Sequence, residues 1–191
     1  GERMPPIKKY NKEKIIEVAM ELIEQHGFKN LTARALAHEL GCTVNPIFNN
    51  FKSMEELETA VYERIQEMYR TRMIEGSTAE NGYKGMGLAY IDFARKHPEF
   101  FKILFMQNTT MNPEKFILAD SIGNNVIEVG RKLTGLSYEE QKEFHVKVWI
   151  FTHGIACLIA TDTVKMDDRE VEELLGTTVV EMLRGYKEGK K

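Results

Sequence analysis

Apolar residues recur almost everywhere in this chain at the spacing of an α-helix, and no run alternates at period two for long enough to make a strand. That pattern leaves helices packed on helices as the architecture. Start and stop signals divide it. Asn11 is placed to cap a first helix ending near Gln25, with Ile15, Ile16, Val18, Ala19, Leu22 and Ile23 inward and His26-Gly27 beyond it. Thr32 is placed to cap a second helix, with Leu36, Ala37 and Leu40 inward and Gly41 as its break. Thr43 is expected to cap a short third helix carrying Val44, Ile47, Phe48 and Phe51. Pro46 suits its first turn, where backbone N–H groups have no partner anyway.

Ser53-Met54-Glu55-Glu56 has the form of a capping box and opens a long helix to about Glu75. The polar stretch Gly76 to Gly82 follows and is the best compositional candidate for a boundary. Helices are then expected at about 83–96 and 99–107, separated by His97-Pro98. Asn112-Pro113 starts another, with Asn as cap and Pro at the first helical position, running to about Leu133 before Gly135. Ser137-Tyr138-Glu139-Glu140 is a second capping box, for a helix to about Thr161. Asp167-Asp168-Arg169-Glu170 opens the last, to about Gly185.

The 191 residues carry a formal net charge of −3, so the chain as a whole is no polyanion binder. The charge is uneven. Residues 1–53 hold eight Lys or Arg against six acids, whereas the remainder holds eighteen against twenty-three. A mildly basic N-terminal part on an acidic body fits local contact with DNA. The two cysteines, Cys42 and Cys157, are too few and too far apart for a disulfide framework. No apolar run is read as a membrane span, and Gly1-Glu2-Arg3-Met4 is not followed by the apolar core of a signal peptide. Met4 is read as the native start, and a cytoplasmic protein is expected.

The stretch from Leu31 to Phe51 carries the functional signal. A helix-turn-helix needs a small residue where its helices cross, Gly four positions later in the turn, and apolar inner faces. Ala37, Gly41, Leu36, Leu40 and Ile47 supply these. The second helix of such a motif lies in the major groove with its N-terminal residues at base edges. Here those are Thr43, Val44, Asn45, Pro46 and Asn49. Asn suits adenine edges, while Thr and Val suit a thymine methyl. Arg34, early in the supporting helix, is within reach of a guanine or a phosphate. Spacing alone leaves a plain helical hairpin open.

Residues 11–61, with HGF..LT.RALA.ELG, a short helix ending in an aromatic, and then NNFKSMEEL, resemble the DNA-binding domain of the TetR family of regulators. The resemblance implies a ligand-responsive transcription regulator, most often a repressor, binding a palindromic operator as a homodimer and released by a small molecule. It implies DNA contacts at Thr32, Arg34, Thr43, Val44, Asn45, Pro46, Phe48, Asn49, Asn50 and Lys52. Two positions depart from the family. Phe48 stands where Tyr is usual and Met54 where Lys is usual, each a phosphate contact in the family. Lys52, or a basic arm of Lys8, Lys9 and Lys12, could compensate. The fold class is therefore all-α, about nine helices: a DNA-binding helix-turn-helix domain at 1–53 and a helical ligand-binding and dimerisation domain at 54–191, with 54–75 as connecting helix.

The second part is rich in Phe and Met, from Phe93 and Phe100 through Met111 to Phe144 and Phe151. Each suits an ordinary helical core, but together they are dense enough to line an apolar cavity. Phe93, Phe101, Phe105, Met106, Phe116, Trp149 and His153 are the expected lining. His97-Pro98-Glu99-Phe100-Phe101 and Trp149-Ile150-Phe151-Thr152-His153-Gly154 resemble a TetR C-terminal subclass named for its Trp, His and Gly. The last two helices each carry too much apolar surface for one chain. Trp149, Ile155, Leu158 and Ile159 on one, with Val171, Leu174, Leu175, Thr178, Val179 and Met182 on the other, are expected to form a four-helix bundle with a second copy.

His97, His145 and His153 could meet at a metal, but no HxxxH or Cys-His pair is read, so no metal or other cofactor is expected. No nucleophile elbow or phosphate loop points to an enzyme. The alternative to a regulator is a helix-turn-helix fold that has lost DNA binding and serves as a protein- or ligand-binding module.

Overall fold

The computed structural model describes residues 10–107, residue 115 and residues 121–189, with backbone alone at 121–124. Among the described residues there are nine α-helices, one short 3-10 turn and no strand. Lys8, Lys9, Met111, Phe116 and the helix start expected at Asn112-Pro113 lie outside them. The chain divides into two compact units after Gln66.

The first unit contains α1 (Lys12–His26), a turn at Phe28–Asn30, α2 (Ala33–Glu39), α3 (Asn45–Phe48) and the first half of α4 (Met54–Ser77). Its caps follow local rules. Asn11 accepts from the Lys14 N–H, and Thr32 from the Ala35 N–H. Gly41, at φ 64°, closes α2: its N–H bonds the His38 carbonyl and the Cys42 N–H reaches back to Ala37. α3 differs from expectation at its start. Val44, already in helical conformation, is the capping position and makes no side-chain cap bond, so Thr43 is exposed outside the helix. The box at Ser53 is shifted as well. Ser53 accepts from the Glu56 N–H, but the Glu56 carboxylate takes the Lys52 N–H, not that of Ser53. Ile15, Ala19, Ile23, Leu36, Ile47, Phe51, Leu57, Val61 and Ile65 form the core. Burying each of the larger ones is worth roughly 1.5–3 kcal/mol.

The second unit continues α4 and adds α5 (Gly82–Lys96), α6 (Pro98–Phe105), α7 (Ser121–Thr134), α8 (Tyr138–Ala160) and α9 (Asp168–Glu188). The polar stretch 76–82 is therefore no boundary. It is a tight α4–α5 corner inside this unit. A Cβ on Gly85 would lie 2.2 Å from the Gly76 carbonyl oxygen, and one on Gly76 would lie 2.7 Å from that of Gly85, so only glycines allow this approach. α8 and α9 open with complete capping boxes, Ser137 with Glu140 and Asp167 with Glu170.

α8 corrects the reading of membrane spans, since by length and composition it is apolar enough to cross a bilayer. Its apolarity has another use here. It packs on α5, α6, α7 and α9, and carries Gln141, Phe144, His145, Val148, Thr152 and Ile155 as buried residues. The apolar residues assigned to a dimer bundle divide accordingly. Ile155, Val171 and Leu175 are buried within the protomer, while Leu158 and Leu174 are exposed, together with Ile150 and Val180.

Candidate nucleic-acid interface and internal cavity

In the first unit the helix-turn-helix presents a continuous set of polar side chains. α2 is held by its capped start and by Leu36 and Ala37 in the core; in α3 the one buried residue is Ile47. Short α3 therefore leaves most of its surface outward. Arg34, Thr43, Asn45, Phe48, Asn49 and Lys52 are exposed, whereas Val44, Pro46 and Asn50 are half-buried. Thr32 is exposed, but its hydroxyl serves as the cap of α2. Phe48 is 46 % exposed, an apolar ring on an otherwise polar face.

Asn50 has a different task. Its amide donates to the Tyr10 carbonyl at 3.0 Å and to the Pro46 carbonyl at 2.8 Å. It ties the segment preceding α1 to the end of α3 and leaves only its amide oxygen for another partner. Lys12 is also engaged. Its ammonium lies 3.3 Å from Glu56 and 5.0 Å from the centre of the Phe51 ring. The Lys52 N–H, and then Lys12, hold the Glu56 carboxyl below its usual range.

In the second unit α4, α5, α7, α8 and α9 line a half-open cavity of about 710 Å³. Tyr69 and Met73 of α4 line it, with Met86, Gly87 and Tyr90 of α5. α7 adds Val126, Leu133 and Thr134; α8 adds Phe144, Val148, Trp149 and Thr152. Leu175, Val179, Val180 and Leu183 of α9 complete an apolar wall. Gly87 keeps α5 close to α9, since a Cβ there would meet the Leu175 side chain at 3.1 Å.

Of the described residues expected to line a cavity, only Trp149 lines this one. Phe93, Phe101, Phe105 and His153 instead belong to an aromatic cluster, and Met106 is exposed. Tyr90 centres it, with Phe101, Phe105, Trp149 and His153 at centroid distances of 5.1 to 6.2 Å. The physical reason is that helical spacing distinguishes inward from outward but not core from cavity wall. Large aromatics fill space, and here they fill it beside the cavity.

Two histidines considered for a metal each meet a tyrosine instead. Tyr83 and Tyr90 lie seven apart on α5, and His145 and His153 eight apart on α8, about two helical turns in both cases. The Tyr83 hydroxyl is 3.0 Å from His145 Nδ1, and that of Tyr90 is 2.9 Å from His153 Nδ1. Burial lowers His145 to about 4 and pushes the Tyr83 phenol up, so the pair is neutral near pH 7. Burial likewise lowers His153 and, acting most strongly, raises Tyr90. His97 stacks on Phe100. A Cys-His pair escaped the sequence reading: Cys157 Sγ lies 3.3 Å from His153 Nε2, one helical turn away. Burial raises its thiol pKa, which opposes thiolate formation. Among the described residues no three His, Cys, Asp or Glu are grouped to hold a metal ion. Tyr83 and His145 were missed as cavity residues; the matched two-turn spacing was the signal available.

The geometry agrees with comparisons across known proteins. The family described as bacterial regulatory proteins, tetR family, matches residues 15–61. A second, the tetracyclin repressor-like C-terminal domain, matches residues 84–182. An uncharacterised HTH-type transcriptional regulator of Mycobacterium tuberculosis is 26 % identical over 183 residues, covering 93 % of this chain and 82 % of its own. A TetR-like transcriptional regulator from Rhodococcus shares the fold at TM-score 0.66 and 13 % identity, covering 96 % of this chain and 100 % of that one. The fatty acid degradation regulator FadR of Bacillus halodurans does so at TM-score 0.55 and 14 % identity, covering 95 % and 98 %. With both halves of the chain matched and the helix-turn-helix in place, the chain belongs to the TetR family of transcriptional regulators.

Proposed function

We propose that this regulator is a cytoplasmic, non-enzymatic repressor that binds a palindromic operator as a homodimer and leaves it when a small, largely apolar effector enters the cavity. The observation carrying this reading is the division of labour between the units. One presents Arg34, Thr43, Asn45 and Asn49 outward, and the other holds a half-open cavity of about 710 Å³ with mainly apolar walls. Thr43, Val44, Asn45, Pro46 and Asn49 would meet base edges, with Thr32, Phe48, Asn50 and Lys52 at or near the phosphates. Asn50 would act partly by fixing α3, given its two bonds to main-chain carbonyls.

The dimer surface is proposed on α8 and α9. Ile150, Gly154 and Leu158 recur every four residues along α8, all exposed, with Leu174 and Val180 exposed on α9. Two recognition helices of such a dimer must enter major grooves about one DNA turn apart, roughly 34 Å. α4 is the natural transmitter, because its second half supplies Tyr69 and Met73 to the cavity. An effector changes the separation only if it binds the released geometry better than the bound one.

The test is selection of bound DNA from a random pool by the purified protein at about 0.15 M ionic strength. An enriched palindrome is the expected result. No enrichment, even at low salt, overturns the operator reading in favour of a module that has lost DNA binding, to which the exposed Phe48 and Met54 in place of Lys would then belong.

A further inference from the structure

The polar groups of the cavity constrain the charge of what it takes. Thr152 and Thr177 return their hydroxyls to their own helices, on Val148 and Glu173. Lys84 is the one Lys or Arg among the described lining residues, and its ammonium is held 2.6 Å from Glu172. Thr134 is bonded to the Gly130 carbonyl and to Gln141, and exposed Asn81 caps α5 by accepting from the Lys84 N–H. Tyr83 and His145 also line the cavity, bonded to each other. A single proton lies between the Tyr83 oxygen and His145 Nδ1. If Tyr83 donates it, the phenol oxygen still accepts from a ligand and Nε2 carries the other ring proton. If Nδ1 carries it, the phenol is free to donate to a ligand carbonyl. The pair thus serves either a hydroxyl or a carbonyl without either residue becoming charged. A carboxylate or an ammonium would enter mostly apolar walls with no uncommitted counter-charge among the described lining groups, and its lost hydration would go unreplaced.

We infer that the effector is an uncharged molecule with an apolar body and one hydrogen-bonding oxygen seated at Tyr83 and His145. This rests on the reading of the cavity as the effector site. It separates this cavity from one built for a fatty carboxylate.

Trp149 is the sole tryptophan and lines the cavity, so its fluorescence reports occupancy without any DNA. The full chain would be titrated at pH 7 with dodecanol, dodecanoate and dodecylammonium, three probes of one length and different charge. The expected result is dodecanol tightest, with each ion at least about tenfold weaker. In Tyr83→Phe, dodecanol affinity should fall about tenfold while the ions are unmoved, since an apolar slot with an unpaired His145 replaces the hydrogen-bonding pair. Dodecanoate binding as tightly as dodecanol, with a loss in Lys84→Met and none in Tyr83→Phe, overturns the neutral-ligand inference but leaves the effector cavity standing. No Trp149 response to any of the three overturns the cavity reading and this inference together. The wild-type series alone decides between these outcomes if a variant does not fold.

Discussion

The two units solve opposite problems with the same element. In the first, the functional side chains sit outside a core that needs only α1, α2, α3 and part of α4, and α3 is just long enough to put Ile47 inward and Asn45, Phe48 and Asn49 outward. In the second, five helices stand around a space they do not fill, and the polar groups that matter are buried there. A surface site can be written into one short stretch of sequence. A cavity is a property of several stretches at once. Chemistry in the first unit is therefore tuned by exposure, and in the second by desolvation.

The largest expected effect tests the second unit. His145 is lowered from 6.5 to about 4, with burial as the cause. Between those values the unfolded chain holds a proton that the folded chain does not, so this contribution is fully present above 6.5 and is lost as pH falls toward 4. The span is about 3 kcal/mol. Urea unfolding at several pH values should show that decline, flattened in His145→Gln; an unchanged slope in the variant would place the acid sensitivity elsewhere. Next is Arg34→Ala in the first unit, expected to cost roughly 1–3 kcal/mol on the preferred operator if the guanidinium reads a base. Equal loss on all sequences, measured by fluorescence anisotropy, would make it a phosphate contact.

Asn50→Ala should cost about 1 kcal/mol of stability, because two main-chain carbonyls lose their donor. It should also weaken DNA binding by freeing the end of α3. Unchanged binding beside reduced stability would separate the anchor from the interface. The smallest effect is Phe48→Tyr, where the 46 % exposed ring leaves room for a hydroxyl. DNA affinity should hold or rise by under about 1 kcal/mol, as one phosphate contact warrants. A clear fall would mean that the ring edge meets an apolar surface in the complex.

Most of the helical layout is legible in the sequence alone. Asn11, Thr32, Ser137 and Asp167 cap as their neighbours dictate, because each bond spans three residues. The Ala37–Gly41 spacing and the sequence around it placed the helix-turn-helix for the same reason. Errors arose where neighbouring positions competed for one role, or where a local signal served a distant contact. Glu56 serves Lys52, not Ser53, and Thr43 is displaced by Val44 entering the helix first. Gly76 stood in a stretch read as a boundary and is instead, with Gly85, the point where two helices touch.

What the sequence by itself determined is the set of helices, most of their ends, and the residues offered outward at the N-terminal motif, because period and capping act over a few positions along the chain. The tertiary structure decided that Phe93, Phe101 and Phe105 fill a core while Tyr83 and His145 line a cavity. Helical spacing alone does not separate these roles. Which residue met a neighbour and which met empty space depended on packing between segments tens of residues apart, and hydrophobic burial carries no direction that one strip of sequence can record.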